Sequence, residues 1–416
     1  MKYVKKLVCI DCGEEYDAEP DKYLCSKCDN EGILEVEYDY NKIKEDWSIE
    51  DLKANEDLSI WRYLPLLPVK EETPRPSLRV GWTPVYDSDV LAQELGLEEI
   101  YLKDDGLNPT GSLKDRASAM AVVKAQEAGA TTVACSSTGN AASSLAGNVA
   151  SMGGKMDAVI FVPERAPMGK VTQLLIYGAE VVSVQGSYEE AYYLSDGAIK
   201  KWDWYNRNAG INPYLVEGKK TVSLELAEQL NFEMPDWLVF SVGDGCTIAG
   251  AWKGLYDLKQ IGFIDKIPKL IGVQAEGCAP ITKSFRTEKP LETTSEDTLA
   301  DSIAVGKPRN YKKALNAIRE SDGTMVNVSD EEILDMMVTV GQTTGVFGEP
   351  AGVTGFAGLK KLVDQGVVAK EDKVAAVITG NGLKDITNGK KAAGEPLEVP
   401  PNLELLEKTY KRGDRF

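Results

Sequence analysis

The chain has 416 residues and a formal net charge of −18, so its surface repels nucleic acid and anionic membrane, and neither is expected as a partner. Hydrophobic residues make up 43% and charged residues 27%, an ordinary globular balance with apolar material for more than one core. There is no histidine, which excludes Ser-His-Asp and Cys-His catalysis and any histidine metal site, and leaves proton transfer to Lys, Tyr, Glu, Asp or a cofactor.

In chain order, Cys9-x-x-Cys12 and Cys25-x-x-Cys28 come first, flanked by short strand-like runs at Val8, Tyr16 and Ile33 to Val36. Four thiolates at this spacing can close tetrahedrally on zinc. Disulfides are disfavoured in a cytoplasmic setting, and a redox pair lacks its βαβ context. All four positions are cysteine, so the expected zinc is structural. No apolar run is long enough to span a bilayer and no signal peptide is read at the start, so a cytoplasmic location is expected. Asp39 to Val80 reads as a connector, with Trp61 to Pro68 packed on the main body. From Gly81, strand-like runs alternate with helices. The strands expected are Ile100 to Leu102, Thr132 to Cys135, Ala158 to Val162, Glu180 to Val184, Trp237 to Ser241, Leu270 to Gln274 and Val374 to Ile378. Helical runs include Ala117 to Ala128, Asn140 to Met152, Ser187 to Trp202, Thr221 to Leu230 and Glu331 to Gly341. Near-continuous apolar strands between amphipathic helices imply a parallel α/β architecture. Glu288 to Asp297 reads as a surface loop, and Cys135, Cys246 and Cys278 as buried small residues.

Three stretches carry chemistry. Lys114 stands where the Asn108-Pro109-Thr110-Gly111 turn becomes a helix. That end is electropositive, which suits an amine that acts as a nucleophile or forms a Schiff base. Position alone also fits an ordinary exposed lysine. Ser137-Thr138-Gly139-Asn140 opens a helix after a strand, with more donors than a simple N-cap needs, and suits a substrate carboxylate. Gly243-Asp244-Gly245-Cys246-Thr247 is a glycine-rich turn opening another helix, a candidate phosphate cradle. It is neither a dinucleotide fingerprint, since Ile248 holds the next required glycine position, nor a P-loop. A turn lysine, an anion-binding asparagine loop and a phosphate cradle together fit pyridoxal 5′-phosphate. Thr379, at the end of the strand Val374 to Ile378, offers that ring nitrogen a neutral hydroxyl.

The Asn108 to Arg116 stretch, the Ser137 to Asn140 loop, Asn212 to Thr221 and Thr379 to Asp385 resemble the threonine synthases, collinearly from about Trp61 to about Asp385. Those are fold-type-II pyridoxal-phosphate enzymes of the tryptophan-synthase-β superfamily, some with an N-terminal zinc ribbon. The resemblance implies two three-layer α/β/α domains: a ribbon over 1–40, a connector and first part of the large domain over 41–130, a small mobile domain over 131–215, and the rest of the large domain over 216–416. It further implies that Lys114 holds the cofactor, Asn140 bonds its 3′-oxygen, Thr379 faces its ring nitrogen and Gly243 to Thr247 take its phosphate.

The implied reaction turns O-phospho-L-homoserine and water into L-threonine and phosphate. Where family members grip the substrate phosphate, this chain has Ala141, Ala209-Gly210 and Leu215. Arg207 is the expected substitute, with Ser137, Thr138 and Asn140 binding the rest of the substrate. The alternative is a threonine or serine deaminase, or a β-replacement synthase, whose substrate tail lacks phosphate. A homodimer acting on a small amino acid is the expected assembly.

Overall fold

Short alternating strands around the cysteines build one sheet, and the apolar runs that follow build two more. The computed structural model describes residues 1–29, 31–166, 168–208 and 210–410, the side chain of Tyr188 aside; Ala209 therefore lies outside the described residues. The ribbon sheet is antiparallel, in the order Glu15–Tyr16, Val4–Cys9, Gly32–Tyr38 and Leu24–Cys25. A parallel sheet follows, ordered Tyr205–Asn206, Thr132–Ser136, Asp157–Pro163 and Glu180–Val184. The largest sheet runs Thr324–Val328, Lys269–Ala275, Trp237–Ser241, Val374–Ile378, Ile100–Asp104 and Val85–Asp87. Only the last pair of that sheet is antiparallel.

Both parallel sheets are covered on both faces, so each is the middle of three layers. Along Trp237–Ser241, Leu238 and Phe240 enter one apolar cluster while Trp237 and Val239 enter another. The smaller sheet divides likewise: Val133 and Cys135 face one cluster, and Ala134 packs with Val159, Ala198 and Ile199 on the other side. This is why these strands read as unbroken apolar runs. The Lys114–Glu127 helix joins the two cores. Leu113, just before it, and Met120 and Val123 within it pack with the large sheet, while Ala117, Ala121 and Val122 pack with the small one. The helix is buried from Asp115 to Ala125, including the charged Asp115, Arg116 and Lys124.

The ribbon is docked, not tethered. Tyr214 Oη donates to Glu19 O at 2.6 Å, Tyr205 Oη to Pro20 O at 3.1 Å, and Asn206 N–H to Tyr23 Oη at 3.3 Å. The connector residues Ile60, Trp61, Tyr63 and Leu66 are buried in the cluster that also holds ribbon Leu34 and Val36. The expected loop at 288–297 has no regular structure and is mostly exposed, and the three remaining cysteines are buried.

Strand order in the large sheet changes sense at Trp237–Ser241: Lys269–Ala275 and Thr324–Val328 follow on one side of it, and the chain then returns as Val374–Ile378 on the other. In open parallel sheets the crevice at such a point, outside the carboxyl ends of the strands, is where ligands bind. The Ser241 to Gly245 turn and Thr379 stand there.

Candidate active site

A narrow inner cavity occupies this crevice, lined by Lys114, Asn140, Lys219, Glu349, Thr379 and the turn from Ser241 to Ile248. It shares Asn140, Ser302 and Glu349 with an outer cleft of about 740 Å³. Backbone contacts bring the Lys114 turn against Thr379: Leu113 N–H donates to Thr379 O at 2.9 Å and Asn381 N–H to Gly111 O at 3.0 Å. Gly111 has φ +87°, a conformation that favours glycine. Asp115 ties the turn from within, accepting from Thr110 N–H at 2.8 Å, Thr110 Oγ1 at 2.9 Å and Asn148 Nδ2 at 3.0 Å. Burial pushes the Asp115 carboxyl up to about 6.

The helix does begin at Lys114. Its amine is pushed down to about 8, first by burial, then by the charge of Lys219, with Arg207 adding to it. These causes reach beyond the helix N-terminus on which the sequence reading relies. An amine in this range is partly neutral near pH 7–8, as a nucleophile requires.

Asn140 opens the helix Asn140–Ala150, and its Nδ2 donates to Glu349 Oε1 at 2.7 Å and to Ser302 Oγ at 3.4 Å. Glu349 is absent from the sequence reading. It precedes the helix Pro350–Asp364, is buried, and is pushed up to about 7, first by burial and then by Asp301. The one available signal was Pro350 at the first helical position, which marks a helix start but not a cavity.

The glycine turn connects strand Trp237–Ser241 to helix Cys246–Ile261, with Gly245 at φ +86°. The first helical bond across it is Ala249 N–H to Gly245 O at 3.1 Å, so the N–H groups ahead of it can meet an anion. The Asp244 side chain is otherwise engaged: its carboxylate accepts from Arg309 N–H at 2.6 Å and from Cys246 Sγ at 3.2 Å. Thr247 lines the cavity with Gly243 and Gly245.

Thr138 lines the outer cleft, whereas the Ser137 hydroxyl turns back to Gly139 N–H at 3.2 Å. Arg207 lines neither space. It is 1% exposed, its Nε donates to Ser118 Oγ at 3.1 Å, and its Nη2 has no partner among the described residues. Leu215 lies in the apolar cluster with Cys135 and Tyr205. At Gly210, φ is +79° and an added Cβ would stand 2.6 Å from Asp244 Oδ2, so a side chain there would be strained and would displace Asp244. Lys384 Nζ, at the cleft wall, donates to Thr110 O, Ser143 Oγ and Gln173 Oε1 at 2.8, 2.9 and 3.0 Å.

In the ribbon, the sulfurs of Cys9, Cys12, Cys25 and Cys28 all lie within 4.8 Å of one another, with Cys9 to Cys28 at 3.9 Å and Cys12 to Cys25 at 3.6 Å. Zinc–sulfur bonds of about 2.3 Å in a tetrahedron require sulfurs just under about 4 Å apart. Gly32 makes room, since an added Cβ would stand 2.9 Å from Cys9 Sγ.

A family model described as pyridoxal-phosphate dependent enzyme matches residues 76–380. The threonine synthase of Methanosarcina acetivorans is 42% identical over 403 residues, spanning 96% of this chain and 97% of that one. That of Methanocaldococcus jannaschii is 38% identical over 406 residues, spanning 97% and 98%. Among solved structures, threonine deaminase isoform 2 of Solanum lycopersicum superposes with a TM-score of 0.64 at 23% identity, over 74% of this chain and 86% of that one. Diaminopropionate ammonia lyase of Escherichia coli gives 0.65 at 18% identity, over 83% and 92%. At such identities the two structures speak for the fold alone.

Proposed function

The chain belongs to the pyridoxal-phosphate-dependent enzyme family, and from that premise we infer that it catalyses the threonine synthase reaction, converting O-phospho-L-homoserine and water to L-threonine and phosphate. The observation that carries this reading is a buried, partly neutral Lys114 amine in the same cavity as a glycine-turn helix N-terminus and the Thr379 strand end. The residues present fit the cofactor: the cavity holds an amine for its carbonyl, free N–H groups for its phosphate and a neutral hydroxyl for its ring nitrogen. When bound, pyridoxal phosphate supplies a carbonyl that takes the substrate amine and a ring that accepts electrons from the substrate carbon.

The chain's own residues do the rest. Lys114 would hold the cofactor and afterwards carry protons at Nζ. Asn140 would turn its amide to the 3′-oxygen, a short swing from its present bond to Glu349. Thr379 would leave the ring nitrogen uncharged, since a hydroxyl gives no counter-ion to a pyridinium. N–H groups from Gly243 to Thr247 would meet the phosphate, and Asp244 would contribute its backbone only. The Ser137 to Asn140 loop would receive the substrate carboxylate, with Thr138 facing the cleft. Arg207 would take the substrate phosphate, supported by its buried, unpartnered Nη2. The segment 131–215 would be the smaller, mobile unit, with Lys170 to Asp301 and Lys384 to Gln173 as polar contacts remade on opening. The four cysteines would hold one structural zinc. Double replacement of Cys9 and Cys25 by serine should remove the metal, and metal analysis showing zinc retained would refute that site.

The deciding assay incubates the holo-protein with O-phospho-L-homoserine and measures phosphate, threonine, 2-oxo acid and ammonia together. Equal phosphate and threonine support the reading. The buried Leu215 and the closed Gly210 position favour a second reading, a deaminase or β-replacement enzyme with an unphosphorylated tail, for which 2-oxo acid and ammonia from threonine or serine would be the evidence.

A further inference from the structure

Lys219 closes the helix Pro213–Lys219 and is 2% exposed. Its Cβ lies 3.2 Å from where a side chain at Gly250 would begin. The bare Gly250 thus lets the lysine stem run along the first turns of the Cys246–Ile261 helix. The same side chain lines the inner cavity beside the whole Ser241 to Ile248 turn. Other fully buried lysines have an acid: Lys103 pairs with Glu225 at 2.9 Å, Lys124 with Glu127 at 2.6 Å, and Lys220 with Asp257 at 2.7 Å. Lys219 has no carboxylate within ion-pair reach and no hydrogen-bond acceptor among the described residues. The nearest loop carboxylate, Asp244, is held by Arg309 N–H and the Cys246 thiol.

A buried cation without a counter-ion is costly, because its hydration is lost and nothing replaces it. The cost is removed if the site's occupant brings the negative charge. A phosphate monoester carries close to two negative charges at neutral pH. The helix N-terminus beside Lys219 offers N–H dipoles but no full charge, so the two are complementary parts of one dianion site.

We propose that Lys219 is the charged member of the cofactor-phosphate site, the counter-ion that the Gly243 to Thr247 turn lacks. This rests on the pyridoxal-phosphate reading above and adds a residue to it. An anion at Lys219 would also offset the neighbouring cation that lowers the Lys114 amine.

The test compares wild type, Lys219→Met and Lys219→Arg as full-length chains stripped of cofactor. Binding of pyridoxal 5′-phosphate and of pyridoxal is followed by absorbance. Lys219→Met should weaken pyridoxal 5′-phosphate about 10- to 100-fold, leave pyridoxal within about twofold, and Lys219→Arg should restore most of the loss. In wild type, the phosphorus resonance of bound cofactor should stay that of a dianion from pH 5.5 to pH 8.5, about the window in which free phosphate monoesters titrate; a free-like titration would overturn the proposal even if Lys219→Met fails to fold. Unchanged cofactor affinity in folded Lys219→Met would overturn it too. Unchanged cofactor affinity with a selective loss of O-phospho-L-homoserine binding would move the cation to the substrate's phosphate and overturn the cofactor assignment. Failure of wild type itself to take up pyridoxal 5′-phosphate would instead sink the function from which this inference starts.

Discussion

Lys219 and Lys220 are consecutive, equally buried and in opposite company. Lys220 Nζ meets Asp257 at 2.7 Å, Glu217 and the hydroxyl of ribbon Tyr38, and Lys253 shares Asp257 from the other side. Lys219 meets no acid among the described residues. The same contrast separates two larger regions. Under the connector, Arg116 pairs with Asp105 at 2.7 Å and Glu225 at 2.6 Å, and Lys103 with Glu225 at 2.9 Å, all fully buried. At the cavity, Lys219 and, from behind its wall, Arg207 both act on Lys114, and among the described residues no carboxylate is in ion-pair contact with any of the three. The first region balances its charges and joins elements far apart in sequence. The second carries more positive than negative charge, with Glu349 the carboxylate nearest Lys114, and on the reading proposed above a phosphorylated cofactor or substrate would balance it. Buried charge that is paired therefore reads as architecture, and buried charge that is unpaired reads as a site.

Removing charge from each region should give opposite results. The largest effect is expected at Lys114→Ala: turnover should fall about 10²–10⁴-fold or further, and borohydride should no longer trap the cofactor on this segment. Because no acid loses an ion-pair partner and a buried cation is removed, the cofactor-free protein should be no less stable than wild type. Trapping on a different lysine, or turnover close to wild type, would remove Lys114 from its role. Next is Arg116→Met, which leaves Asp105 and Glu225 buried without their guanidinium. Denaturant unfolding should show a loss of about 3–5 kcal/mol. Against the upward push of burial, Arg116 and Lys103 hold Glu225 down at about 2. A depressed carboxyl contributes stability above its unfolded value near 4.3, and that stability is lost as pH falls toward 2. In Arg116→Met the folded value of Glu225 rises toward its unfolded one, so this acid-side loss should shrink. A variant whose stability falls on acidification as steeply as that of wild type would break the distinction between the regions.

Arg207→Met removes an unpaired cation, so the cofactor-free protein should be no less stable than wild type, the reverse of Arg116→Met. The variant should bind O-phospho-L-homoserine about 10- to 100-fold more weakly, with the cofactor spectrum intact. Robust threonine formation in Arg207→Met would exclude this arginine from the substrate phosphate and favour the unphosphorylated-tail reading. Leu215→Arg is a poor converse test, because it would drive a guanidinium into the cluster around Cys135 and Tyr205.

The sequence carries the fold wherever apolar runs are continuous: Glu180–Val184, Trp237–Ser241 and Val374–Ile378 stand at their expected residues. No strand is read over Thr324–Val328 or Tyr205–Asn206, one broken by Asn327 and the other only two residues long. The Lys114, Asn140 and glycine turns are legible because each is a local turn-to-helix signal. Glu349 is not, since its partner Asn140 is 209 residues away and a glutamate before a proline is an ordinary helix start. Nor does spacing tell Lys219 from Lys220; only the helices packed around them assign acids to one and a cavity to the other.

The smallest and most specific effect concerns Glu349. A chain without histidine has few groups that titrate near neutrality, and three of them here are buried carboxyls: Glu349 near 7, Asp104 and Asp115 near 6. Each is raised chiefly by burial, so between its unfolded value near 4 and its folded one the native state binds the extra proton. Stability must therefore fall as pH rises through that window, by at most about 1.4 kcal/mol per pH unit for one proton. Lys114 acts in the other sense: its amine is lowered to about 8, so its contribution rises as pH climbs from 8 toward the free-lysine value near 10.4. The groups facing Glu349 are Lys114, Lys170 and Lys384, which favour its ionised form, and Asp301, which opposes it. Glu349→Gln keeps an oxygen for Asn140 Nδ2 and removes the titration. Unfolding of the cofactor-free variant measured from pH 4.5 to 7.5 should lose the part of the slope nearest pH 7 and keep the part that Asp104 and Asp115 supply. Melting temperatures that track wild type across that range would show that Glu349 is already ionised at the cavity wall, and would leave the Asn140 amide held by a charge instead of a proton-bearing acid.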